Sequence, residues 1–84
     1  MVHPAMYPDQ IQKLQKIFRI VFELAAETDV TQVSKMSQEN WDSLRHMTLV
    51  AAIESEFKVN IDTADALRID SYPTTRQLLE ERGG

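Results

Sequence analysis

The sequence predicts an all-α chain, a four-helix bundle with a long loop between helices one and two and a short third helix. Three observations carry this expectation. Both glycines, Gly83 and Gly84, stand at the C-terminal end, so no internal glycine is available for the tight turns of hairpins or small barrels. Apolar residues at Ile11, Leu14, Ile17, Phe18, Val21, Phe22, Leu24 and Ala25 recur with helical period. Asp42, Asp62 and Ser71 then offer three side chains suited to capping helix N-termini.

Residues 1–8, with Pro4 and Pro8, read as an extended lead-in, and Pro8-Asp9 opens the first helix. Its stripe predicts a helix from about Asp9 to Glu27, with Lys13, Lys16 and Arg19 mainly on the solvated faces. Thr28 to Asp42 is rich in Thr, Ser, Gln and Asn and reads as a long loop, tacked down by Val30, Val33 and Met36. Asp42 caps the second helix. That helix carries two adjacent apolar stripes, one through Leu44, Met47, Val50 and Ala51, the other through Leu49, Val50, Ile53 and Phe57. One stripe should enter the core, and the other is exposed or open to a partner. Asn60-Ile61-Asp62 breaks this helix. Asp62 caps a third of about two turns, ending near Leu67, with Asp65 at the N3 position of a capping box. Ser71 caps the fourth, Pro73 fits its first turn, Leu78 and Leu79 anchor it, and Gly83 stops it.

The chain has 84 residues, 43% hydrophobic and 26% charged, which fits one globular domain with an ordered core of about residues 9–82. So short a chain buries roughly 60% of the surface its unfolded form exposes, so packing must be efficient. Cysteine is absent, which excludes disulfides and thiolate metal sites, and His3 and His46 are too few and too distant for a histidine-rich metal site. The net charge of −4 argues against nucleic-acid partners, which are held by clustered Lys and Arg. No apolar run approaches membrane-spanning length, and the N-terminus lacks the pattern of a signal peptide. A cytoplasmic monomer is the expectation.

Asp42, Ser43 and His46 contain the residue types of a hydrolytic triad. Adjacent Asp and Ser side chains diverge at a helix start, however, and no nearby glycine shapes an oxyanion hole, so His46 reads as an exposed helix residue. No enzymatic constellation can be assembled. The informative stretch is Asn40-Trp41-Asp42-Ser43-Leu44-Arg45-His46-Met47, after a long polar loop and opening a helix that runs to Ile53-Glu54-Ser55-Glu56-Phe57. This context, over about residues 9–82, resembles the acyl carrier protein family.

The resemblance implies a single acyl-carrier domain and a non-catalytic role. Ser43 would carry 4′-phosphopantetheine, donated from coenzyme A by a phosphopantetheinyl transferase that also reads Asp42. The thiol of that group would hold acyl intermediates as thioesters, and the reactive sulfur would then come from the cofactor in a chain without cysteine. Acyl-loading and acyl-processing enzymes would dock along Leu44, Arg45, Met47, Ala51 and Glu54. Residues 42–70 hold six acids against three bases, but Arg45 and His46 follow the serine directly and Glu54 and Glu56 come late. At 1.5 Å per residue these acids lie roughly 16–20 Å along the helix, beyond a Debye length of about 8 Å. That pattern looks like stand-alone carriers of specialised pathways, such as polyketide or surface-glycan biosynthesis, whose partners would present an acid to Arg45. Two other readings stand beside it. One is a small helical interaction module in which Ser43 only opens a helix. The other is a ubiquitin-like modifier using Gly83-Gly84, which requires strands that the helical period of residues 11–25 opposes.

Overall fold

The computed structural model describes residues 6–82 and is all-helical, with α1 at Pro8–Phe22, α2 at Ser43–Phe57, α3 at Thr63–Arg68 and α4 at Tyr72–Glu81. A single 3₁₀ turn, Val30–Gln32, interrupts the connection between α1 and α2. Among the described residues there is no strand, only one antiparallel bridge between Ser34 and Ser71. A β-grasp modifier fold is thereby set aside. The expected glycine stop at Gly83, the terminal Gly-Gly and Pro4 lie outside the described residues. No helix among the described residues is long and apolar enough to cross a membrane.

The α1 stripe does what its period requires. Leu14, Ile17, Phe18, Val21 and Phe22 are buried, and α1 packs along α2. From α2, Leu49 and Ile53 enter the same core, fully buried, while Phe57 and Val50 cover its edge. Leu78 and Leu79 close it from α4. Aromatic rings tie these layers together. Phe18 meets Tyr72 edge-on with centroids 5.4 Å apart, and Trp41 lies 4.6 Å from Phe22 and 6.1 Å from Phe18. Each such pair contributes about 0.5–1.5 kcal/mol beyond the area it buries.

The first helix is shorter than its sequence pattern predicts, ending at Phe22 instead of Glu27. The cause is competition for its last carbonyls. Asn40 donates to the Phe22 carbonyl at 3.0 Å, and the Arg45 guanidinium donates to that of Val21. Arg19 meanwhile reaches forward to the carbonyls of Ala25 (2.9 Å) and Thr28 (3.0 Å), which pins the chain in its non-helical course. Glu23 takes a left-handed conformation, φ 53°, at the turn. The long connection is anchored by Val30 and Val33, both buried, but not by Met36, which is fully exposed at the tip of a turn. Backbone bonds do the work Met36 was expected to do: Lys35 N–H donates to Asp70 and Tyr72 N–H to Val33.

The three expected caps all form. Asp42 accepts from Arg45 N–H, Asp62 from Asp65 N–H and Ser71 from Thr74 N–H. Asp65 does not turn back on its own cap, as a capping-box acid would. Its buried carboxylate pairs with Arg82 and, at 3.8 Å, with Arg68. Arg68 also holds Glu81 through bonds of 3.0 and 2.8 Å, so the short α3 is fastened to the C-terminal end of α4 by charge. The hydrogen bonds from Arg68 keep the Glu81 carboxyl below its ordinary range. A carboxyl lowered in the folded state stabilises above its unfolded value and loses that contribution as pH falls. The melting temperature of Glu81→Gln should therefore lie below wild type at neutral pH, and the gap should close as pH drops below about 4.3. A gap independent of pH in thermal melts would show that this pair does not fasten α3.

Candidate functional site

The site is built around the start of α2. Trp41 is buried against Phe18 and Phe22, which stops the incoming chain at the surface of α1. Asp42 follows in extended conformation, φ −101° and ψ −177°, and its Oδ1 accepts from Arg45 N–H at 2.8 Å. Ser43 is then the first residue of a fifteen-residue helix, and it is exposed. The helix dipole and the unpaired N–H groups of the first turn favour a phosphate at this end.

Beside Ser43 lies an open cleft of about 460 Å³ between α2 and the α3 side, with Lys35, Trp41, His46, Met47, Leu67 and Ile69 in its walls. A second, of about 470 Å³, continues along α2 past Val50 and Ala51 to Ile61 and Ala66. Leu44 and Met47, 75% and 70% exposed, stand next to Ser43 with Leu67 of α3 across the cleft. These exposed apolar side chains around one polar position make this face the candidate contact surface.

The residues of the sequence-derived surface divide in two. Leu44, Met47 and Ala51, at i, i+3 and i+7, are exposed on one face. Arg45 and Glu54 are half-buried and engaged within the chain: Arg45 pairs with Glu23 at 2.7 Å, and Glu54 accepts from Ile61 N–H at 2.9 Å. The acid opposite Arg45 therefore comes from the end of α1, twenty-two residues away, a pairing that residues local to Ser43 do not reveal. His46 also departs from expectation. It is half-buried, its Nδ1 accepts from the Trp41 indole N–H at 3.1 Å, and its Nε2 lies 2.9 Å from the Ala66 carbonyl. With both ring nitrogens engaged and the Asp42 carboxylate capping the helix, Asp42, Ser43 and His46 do not form a proton relay. Among the described residues no group of three His, Asp or Glu side chains is placed to hold a metal ion. Leu67 and the Trp41–His46 pair are the site features that the sequence pattern did not single out.

No family model matches the chain, and no solved structure matches it. Over 73 residues it is 30% identical to Acyl carrier protein 4, chloroplastic, of Arabidopsis thaliana. The match covers 87% of this chain and 53% of that protein, so the chain spans about half the length of the relative. The chain is thus similar to an acyl carrier protein in sequence and all-helical in fold.

Two stability measurements follow from the geometry. Asp42→Ala removes the side-chain acceptor of the α2 cap and should lower stability by about 1 kcal/mol in denaturant titrations. Met47→Ala truncates an exposed side chain and should stay within about 0.5 kcal/mol of wild type. A loss of several kcal/mol at Met47 would place it in the core and remove it from the candidate surface.

Proposed function

We propose that the chain is an acyl carrier protein in which Ser43 carries 4′-phosphopantetheine. The observation that carries this reading is the position of Ser43: exposed, first in α2, directly after a capping aspartate and a buried tryptophan, and beside a largely apolar cleft. The similarity to a plant acyl carrier protein supports it. In this reading residues 9–82 form one carrier domain, monomeric and without catalytic activity of its own.

The residues present fit the group. Ser43 Oγ is free to approach a phosphoryl centre, the α2 N-terminus favours the resulting phosphodiester, and Lys35 adds a positive charge at the cleft. Attachment breaks the pyrophosphate bond of coenzyme A. Ser43 Oγ bonds to the β-phosphate, adenosine 3′,5′-bisphosphate leaves, and the hydroxyl proton passes to the transferase, since neither ring nitrogen of His46 is free to take it. Asp42 fixes the first turn of α2 for that encounter. The group, once bound, supplies the thiol on which acyl chains are held as thioesters.

Loading and processing enzymes then dock on Leu44, Met47 and Ala51, with Arg45 and Glu54 at the rim. Methionine suits a surface that must fit several partners. Because Glu23 already neutralises Arg45, the patch beside Ser43 presents little net charge, which favours partners with a less basic face than carriers with an acidic second helix require. That is the basis for placing the protein in a specialised biosynthetic pathway. The cytoplasm is the compartment this reading takes, whereas the relative's name assigns that protein to the chloroplast.

Incubation with coenzyme A, Mg²⁺ and a broad-specificity phosphopantetheinyl transferase should add one phosphopantetheinyl mass to the wild-type chain. Ser43→Ala should fold with an unchanged circular dichroism spectrum and gain none. Modification of the alanine variant, or of another serine in the wild type, would remove the assignment. An unmodified wild-type chain would leave a helical interaction module.

A further inference from the structure

Through its ring His46, carried on α2, links the segment that precedes that helix to α3. Its ring lies 6.2 Å from that of Trp41 at an interplanar angle of 31°, and the Trp41 indole N–H donates to Nδ1 at 3.1 Å. Its Nε2 lies 2.9 Å from the Ala66 carbonyl, within α3. An indole N–H only donates, so Nδ1 must hold a lone pair, and the ring proton must then sit on Nε2, where a carbonyl is placed to accept it. Only the neutral Nε2–H tautomer satisfies both partners. His46 and Met47 also form the shared wall between the cleft at Ser43 and the cleft further along α2.

We infer that His46 is a positioning residue: its neutral Nε2–H form clamps the Trp41–Ser43 segment to α3 and keeps the two clefts apart, and protonation releases the clamp. A proton from solvent on Nδ1 sets N–H against N–H at Trp41. The indole donor, in a ring only 5% exposed, is then left without its acceptor. The charged groups that line the clefts with His46 are Lys35, Asp42 and Asp70 on the Ser43 side and Glu54 and Asp62 on the other, with Arg45 adjacent on α2 but held by Glu23. The clamp itself depends only on this geometry. Its consequence, that transfer to Ser43 depends on the state of His46, rests on the carrier reading.

Trp41 is the only tryptophan in the chain, and its emission reads the contact directly because an imidazolium quenches a neighbouring indole. Emission of the unmodified wild-type chain should therefore fall reversibly on acidification. His46→Gln offers a carboxamide oxygen and an N–H that do not titrate, so its emission should stay flat. His3→Gln, which changes the only other histidine, should keep the wild-type transition. A transition that persists in His46→Gln, or that is missing from wild type, overturns the proposal. Nitrogen-15 shifts of the wild-type imidazole give a reading that needs no variant: at pH 8 the proton should be on Nε2, and an Nδ1–H tautomer overturns the clamp. In the transfer reaction, the ratio of the His46→Gln rate to the wild-type rate should rise as pH falls, because the ratio cancels the transferase's own pH profile. A ratio independent of pH overturns the link to Ser43. If neither chain is modified at any pH, the carrier reading has failed, and emission and tautomer still decide the clamp.

Discussion

The burial of Trp41 is the contact on which the rest of the arrangement depends. The connection from residue 23 to residue 42 must end at one defined place for α2 to begin in register, and its polar residues supply little burial to fix that place. The indole does so, packed against Phe18 and Phe22 of α1, which in turn reach Tyr72 of α4 through Phe18. One residue later Asp42 caps the helix, and one residue after that Ser43 is turned to solvent. The buried ring and the proposed attachment position are therefore two residues apart, and the rigidity of the second follows from the packing of the first.

Charge in this molecule is largely spent inside the chain. Arg45 faces Glu23, Asp65 faces Arg68 and Arg82, and Arg68 faces Glu81. The exposed pairs among them, such as Arg68 with Glu81, add little stability one by one. Their effect here is on shape: they terminate α1, fasten the short α3 to α4 and leave Leu44, Met47, Ala51 and Leu67 as an apolar surface around Ser43. A carrier of the proposed kind needs such a surface to be adaptable and its frame to be fixed, and these two demands fall on different residues.

What was legible in the sequence was local. The α1 stripe, the caps at Asp42, Asp62 and Ser71, the buried Leu49–Ile53 edge and the exposed Leu44–Met47 edge all depend on residues within a turn or two of one another. What was not legible depends on distance along the chain. Asn40 and Arg45 end α1 early by taking the carbonyls of Phe22 and Val21, eighteen and twenty-four residues back. His46 gains its structural role from Ala66, twenty residues on. Met36 looked like an anchor because it is apolar, yet the turn that contains it is already fixed by backbone bonds to the start of α4. The proposal of Ser43 rests on its neighbours in sequence; the reason it stands clear of the surface required the fold.

Amide hydrogen exchange in Trp41→Leu against wild type tests this account most directly. The replacement keeps an apolar side chain but removes the aromatic contacts and the indole N–H. If Trp41 sets the start of α2, the amides of Arg45 and His46, bonded to Asp42 in the first turn, should lose far more protection than those of Leu78 and Leu79 in α4. Equal loss throughout the chain, or unchanged protection at Arg45 and His46, would contradict the claim that this one buried ring positions Ser43.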